Sequence, residues 1–115
     1  ACIYPGAPWY RTAFGNVQRI AEGVYTGTNF PTIYATHGLQ CGRFFYEATL
    51  RQADVAQIGF FHLGVRFNRG DGVGDDLNGY SFDGQRARKW HGGDSAYGKH
   101  WKSGDVVGCM LDLVE

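Results

Sequence analysis

Four aspartates, Asp71, Asp75, Asp76 and Asp83, crowd one short stretch. Carboxylates grouped this way hold calcium when their spacing puts oxygen ligands at alternate positions. Here it does not. A calcium loop opening at Asp71 needs an oxygen ligand at its third position, glycine at its sixth and glutamate at its twelfth, where Val73, Asp76 and Phe82 stand. The aspartates read instead as turn residues, whose short side chains bond nearby backbone. Gly70, Gly72 and Gly74 have the flavour of a phosphate loop. However, no Lys followed by Ser or Thr comes after them, and Leu77 occupies the place of the third glycine of a dinucleotide fingerprint. No C-x-x-C or H-x-x-x-H pair offers a zinc site. Around Ser81 the second glycine of a hydrolase elbow is replaced by Asp83. His37 lies four residues before Cys41, but no third group is placed to orient a base, and Cys41 beside Gly42 reads as a small buried residue. The expectation is a non-enzymatic chain with no cofactor.

Recognition chemistry is better supplied. Arg66, Phe67, Asn68 and Arg69 put aromatic and arginine side chains, the types enriched in binding hot spots, on a turn-rich segment. His91, Asp94 and Tyr97 form a second set in a later loop. These seven residues are expected to contact a protein or peptide partner. Arg86, Arg88, Lys89 and Trp90 could stack on nucleic-acid bases, but the nearby aspartates offset their charge, so a solvated strand face is expected.

Composition narrows the class. The 115 residues carry 11 basic and 11 acidic side chains, so nucleic acid and an anionic membrane are poor bulk partners. No apolar run is long enough to span a bilayer. Three cysteines, Cys2, Cys41 and Cys109, make no disulfide framework, and free thiols imply an intracellular, cytoplasmic setting. Eight Phe, seven Tyr and three Trp favour strands, and 18 Gly mark turns and bulges; together they imply a sandwich or barrel.

The elements that must position these residues follow from periodicity. Pro5 and Pro8 make residues 1–16 an irregular arm, too apolar for a free tail and expected to pack across a sheet. Residues 17–24 fit a helical face, but Gly15 and Gly23 bracket them too closely, so a strand is expected. In residues 43–50, Phe44, Tyr46, Ala48 and Leu50 alternate with Arg43, Phe45, Glu47 and Thr49, the period of a half-buried strand. Residues 55–63 make a second strand, with a close approach or bulge at Gly59. Residues 80–82 and 87–90 flank Asp83-Gly84 as a hairpin. Residues 91–104 read as loop. Residues 106–114 form a last strand with Val107, Cys109, Leu111 and Leu113 on one face. Tyr80, Phe82, Trp90 and Trp101 are expected in the core.

Several of these segments together resemble the SPRY (B30.2-like) family. G-V-G-D-D-L-N-G-Y-S-F-D-G at 72–84 resembles its central motif, G-R-F-F-Y-E-A-T-L at 42–50 its opening strand, I-G-F at 58–60 the next, and G-D-V-V-G-C with L-D-L at 104–113 a later one. Arg66-Phe67-Asn68, Arg88-Lys89-Trp90 and residues 97–101 are similar to the subtype found in a large RING-type ubiquitin ligase. G-V-G-D-D-L is also similar to ryanodine-receptor SPRY domains. Gly79 stands where the family usually has Ser. The family also continues past L-D-L into an N-G hairpin and further strands.

The resemblance implies an all-β, bent antiparallel β-sandwich. Its domain would span residues 17–115, lacking the family's C-terminal strands unless another segment or chain supplies them. It implies a module that recognises a protein or peptide through loops at one end, possible substrate recognition in a ubiquitin ligase included. A structural insert packed within a larger assembly or channel is the second reading. A sugar-binding sandwich is a third, disfavoured by the failed calcium template.

Overall fold

A computed structural model describes residues 10–21, 24–35, 38–62 and 71–114. Among these residues every regular element is a strand and every pairing is antiparallel, so the chain is an all-β protein of the sandwich type. It divides into two compact units, Ala1–Gln40 with Arg66–Gly72, and Cys41–Val65 with Val73–Glu115.

The first unit contains a long hairpin, β1 (Tyr10–Ala21) against β2 (Val24–Ala35). β1 begins inside the stretch expected to be an irregular arm, and both Pro5 and Pro8 precede it, outside the described residues. Pro31 falls between the paired positions Thr28 and Thr32, where the register slips, so its missing donor breaks no ladder bond.

In the second unit, β3 (Arg43–Thr49) pairs with β8 (Val106–Asp112). The alternation expected from the sequence holds. Phe44 and Ala48 on β3, and Val107, Cys109 and Leu111 on β8, are half-buried, with exposed residues between them; Tyr46, on the covered face, departs in part, 37% exposed overall with its hydroxyl turned inward. A second sheet runs in the order β4 (Ile58–Phe61), β5 (Gly79–Asp83), β6 (Arg88–Trp90), β7 (Asp94–Ala96). Tyr46 links the two sheets. Its hydroxyl donates to the Gly59 carbonyl at 2.8 Å, and its ring stands edge-on to Phe60 at 5.4 Å.

The hairpin at Asp83-Gly84 forms, but by a different device from a two-residue turn. Asp83 pairs with Arg88 across a four-residue loop in which Ala87 takes the left-handed conformation at φ 53°. Asp83 is fully buried and accepts from the Gln85 amide at 3.0 Å, the Arg86 amide at 3.3 Å and the Arg86 guanidinium. Gly84 is needed for space, because a Cβ there would lie 2.3 Å from the Trp101 ring. Trp101 donates its amide to the Gly84 carbonyl at 3.0 Å and its indole N–H to the Asp54 carbonyl at 3.2 Å, and its ring stands edge-on to Phe82.

Residues 73–79 fold back onto β5. The Val73 carbonyl accepts from Ser81 Oγ at 2.5 Å and from Gln57 Nε2 at 2.8 Å. Asp76 accepts from the Asn78 amide, the turn role expected of these aspartates. Gly79, where the family usually has Ser, lies close against this turn. A Cβ there would come within 2.7 Å of the Gly74 nitrogen, so only glycine allows the approach. The sequence missed β7, which lies in the stretch read as loop. Asp-Ser-Ala has little strand propensity, and the pairing with β6 imposes the strand.

The cysteines depart from the expectation of free thiols. Cys109 is free and half-buried, but Cys41 is disulfide-bonded and exposed, neither a free thiol nor a small buried residue. That removes part of the argument for a reducing compartment.

Burial pushes the Tyr46 hydroxyl well above its ordinary value near 10, and the Cys109 thiol beside it reinforces the shift. A raised folded-state value means the unfolded chain ionises first. The stability contributed by Tyr46 is therefore complete below about pH 10 and is lost as pH rises further. Tyr46→Phe should cost about 1 kcal/mol at neutral pH, for one hydrogen bond, and its deficit against the parent should shrink above pH 10. Urea unfolding at stepped pH reads both; a deficit independent of pH would contradict the burial of the hydroxyl. Gly84→Ala should destabilise by about 1–3 kcal/mol through overpacking against Trp101, read as a fall in the urea midpoint.

Candidate functional site

Tyr80 and Phe82 lie two apart on β5 and share one face of the sheet, about 7 Å from each other along the strand. The sequence placed both in the core. Phe82 is half-buried against Trp101, but Tyr80 is 50% exposed. Its ring stacks on His91 with centroids 4.0 Å apart and planes 9° from parallel, and His62 lies tilted at 6.2 Å.

Backbone bonds fix this group. The Asn78 carbonyl accepts from the His62 amide at 2.7 Å, and the Gly92 amide donates to the carbonyls of Gly74 and Asp76. His91 Nδ1 is 2.9 Å from the Gly79 carbonyl. A carbonyl can only accept, so Nδ1 carries the proton and a neutral ring presents Nε2 as an acceptor. Leu77, 69% exposed, packs against Gly92. His62, Leu77, Tyr80 and His91 thus form an exposed aromatic and apolar patch on a hydrogen-bonded frame.

A second cluster sits toward β7. Tyr97 stands edge-on to Phe82 at 5.6 Å, is 54% exposed, and carries the Lys89 ammonium over its ring at 5.5 Å. Arg88 donates to Asp94 at 2.7 Å. Arg86 lies over Trp90, whose buried indole N–H has no acceptor. The charges of this basic-aromatic segment are thus partly matched within the fold, as expected of a strand face.

Of the residues expected to bind, His91 and Tyr97 stand exposed on this sheet. Asp94 is engaged by Arg88 and holds β6 to β7. Arg66, Phe67, Asn68 and Arg69 lie outside the described residues. Sequence reasoning missed His62, Leu77 and Tyr80. The available signal was period two in β5, which sets Tyr80 apart from the buried Gly79, Ser81 and Asp83.

The architecture is that of a β-sheet recognition module: antiparallel sheets, loops fastened by glycine, and aromatic side chains left open on a rigid face. Residues 43–115 match the SPRY domain, and the chain belongs to that family, a family of protein-interaction modules. Over 72 residues it is 40% identical to the E3 ubiquitin-protein ligase RKP of Arabidopsis thaliana, an alignment covering 63% of this chain and 6% of that protein. Over 83 residues it is 29% identical to the probable ATP-dependent RNA helicase ddx1 of Dictyostelium discoideum, covering 72% of this chain and 10% of the helicase. The chain therefore matches only a small part of each relative.

If Tyr80 is a surface residue, Tyr80→Ala should change stability by less than about 1.5 kcal/mol, the range of a single aromatic pair. Trp101→Ala should cost about 3–5 kcal/mol. Equal losses in urea unfolding would place Tyr80 in the core after all.

Proposed function

We propose that this chain is a non-catalytic protein-recognition module that binds a partner protein or peptide, as the substrate-recognition part of a ubiquitin ligase. The observation carrying this reading is the Tyr80–His91 stack. A large aromatic is left half in solvent on a frame that holds it rigidly, and rigid exposed aromatics contribute contact area at small entropic cost. The likeness to a ubiquitin ligase supports the choice of that pathway. The reading places the partner on His91, Tyr97 and the Arg66–Arg69 segment that follows His62, and puts the protein inside the cell. Zero net charge leaves nucleic acid a poor partner.

One observation favours the structural-insert reading. The outer face of β3 and β8 exposes Phe45 at 58%, Met110 at 69% and Val106 at 55%. An apolar sheet face suits permanent packing inside a larger protein.

A pull-down from reducing cytosolic extract separates the two. One altered bait carries Arg66→Ala, Phe67→Ala and Arg69→Ala; another carries Tyr80→Ala and His91→Ala. A partner held by the parent chain and lost on both altered baits is the expected result. A partner retained on both refutes the site, and no partner on any folded bait favours the insert.

A further inference from the structure

Among the described residues β7 is the outer strand of its sheet, and its three residues are all exposed. The register fixes which of its backbone groups point inward. His91 donates to the Gly93 carbonyl and Tyr97 to the Ala87 carbonyl, so the bonded pairs across β6–β7 fall at 91/93, 89/95 and 87/97. Asp94 and Ala96 occupy the pairs between. Their N–H and C=O groups therefore point away from the sheet, and no other strand bonds them among the described residues.

Such an edge is a template for another strand unless charge or proline blunts it; at three residues, β7 offers outward groups at just two positions, Asp94 and Ala96. Here the strand's one charge, Asp94, is neutralised by Arg88. Gly92 and Gly93 before it and Gly98 after it, at φ 68°, 142° and 70°, turn the chain away at both ends and leave the strand open between them. Asp76 lies beside Gly92 at one end of the strand, and two lysines lie close to the strand in the chain. Lys89, over Tyr97, and Lys99 make no ion pair among the described residues.

We propose that the open edge of β7 takes an extended acidic segment of the partner protein as an added strand. Main-chain bonds to Asp94 and Ala96 hold it, and its carboxylates meet Lys89 and Lys99. This deepens the recognition reading and rests on it: Tyr97 and the edge beside it become the strand-binding part of the surface, and the partner is defined as acidic and extended rather than helical.

The test uses the whole chain and two short peptides, one alternating Glu and Val, the other Lys and Val. Amide hydrogen exchange followed by NMR is the first readout. The Glu peptide should slow exchange at Asp94 and Ala96, whose free amides exchange fast; the Lys peptide should not. Ala96→Pro removes an outward N–H without breaking the β6–β7 ladder. It should weaken the Glu peptide at least tenfold while the melting midpoint stays near that of the parent, and Lys89→Ala should weaken it several-fold. Unchanged exchange at Asp94 and Ala96, or equal binding of both peptides, overturns the proposal. So does a partner that is captured by the parent chain, lost on the Tyr80 bait and kept by Ala96→Pro; in that outcome the recognition reading survives.

Discussion

Asp83 is completely buried, and a buried carboxylate is costly unless its charge is met and its oxygens accept hydrogen bonds. The four-residue loop after it meets those needs with two amides and the Arg86 guanidinium. The same loop presents the face of Gly84 on which Trp101 lies. Trp101 in turn reaches the Asp54 carbonyl and the Phe82 ring. One satisfied charge thus ties the β5–β6 hairpin, the segment before β4 and the segment before β8 to a single point. Remove the carboxylate, and Arg86 and two amides lose their acceptor together.

From this point the sheet is organised by close approach. Residues 73–79 lie against β5 so tightly that Gly74 and Gly79 have no room for a side chain. Their turn fixes Asn78 and Asp76, whose carbonyls hold the backbone beside His62 and His91. The exposed aromatic patch is therefore the outer end of a chain of backbone bonds running from the core. This is a physical basis for recognition: rings already ordered before binding lose little entropy when a partner arrives.

Among the described residues two surfaces with exposed apolar or aromatic side chains stand out, and they differ in kind. The Tyr80 face is mixed, with imidazoles that can donate or accept, as a reversible interface is. The outer face of β3 and β8 exposes Phe45, Val106 and Met110 among Glu47, Thr49 and the surface ion pair Arg43–Asp112 at its end. The first suits a partner that comes and goes, the second a permanent neighbour.

The sequence by itself determined the strands of strong period two, β3 and β8, and which of their faces is covered, because alternation of apolar residues has only one reading in a half-buried strand. Its glycine and aspartate spacing also carried the SPRY resemblance, since those residues answer to local backbone demands. It did not determine β7, which has no propensity of its own and exists through its neighbour. Nor did it determine the fate of Tyr80 and Phe82, which are equivalent by periodicity. Tertiary structure separates them because the buried Trp101 ring closes over Phe82, whereas Tyr80 meets only the exposed His91 and His62 rings among the described residues and stays 50% exposed. The same holds for Asp94, which reads as a loop contact in the sequence and becomes a strand-to-strand tie only when Arg88 is brought within 2.7 Å. Periodicity reports which residues share a side of a strand; what lies over that side is settled by segments distant in the chain.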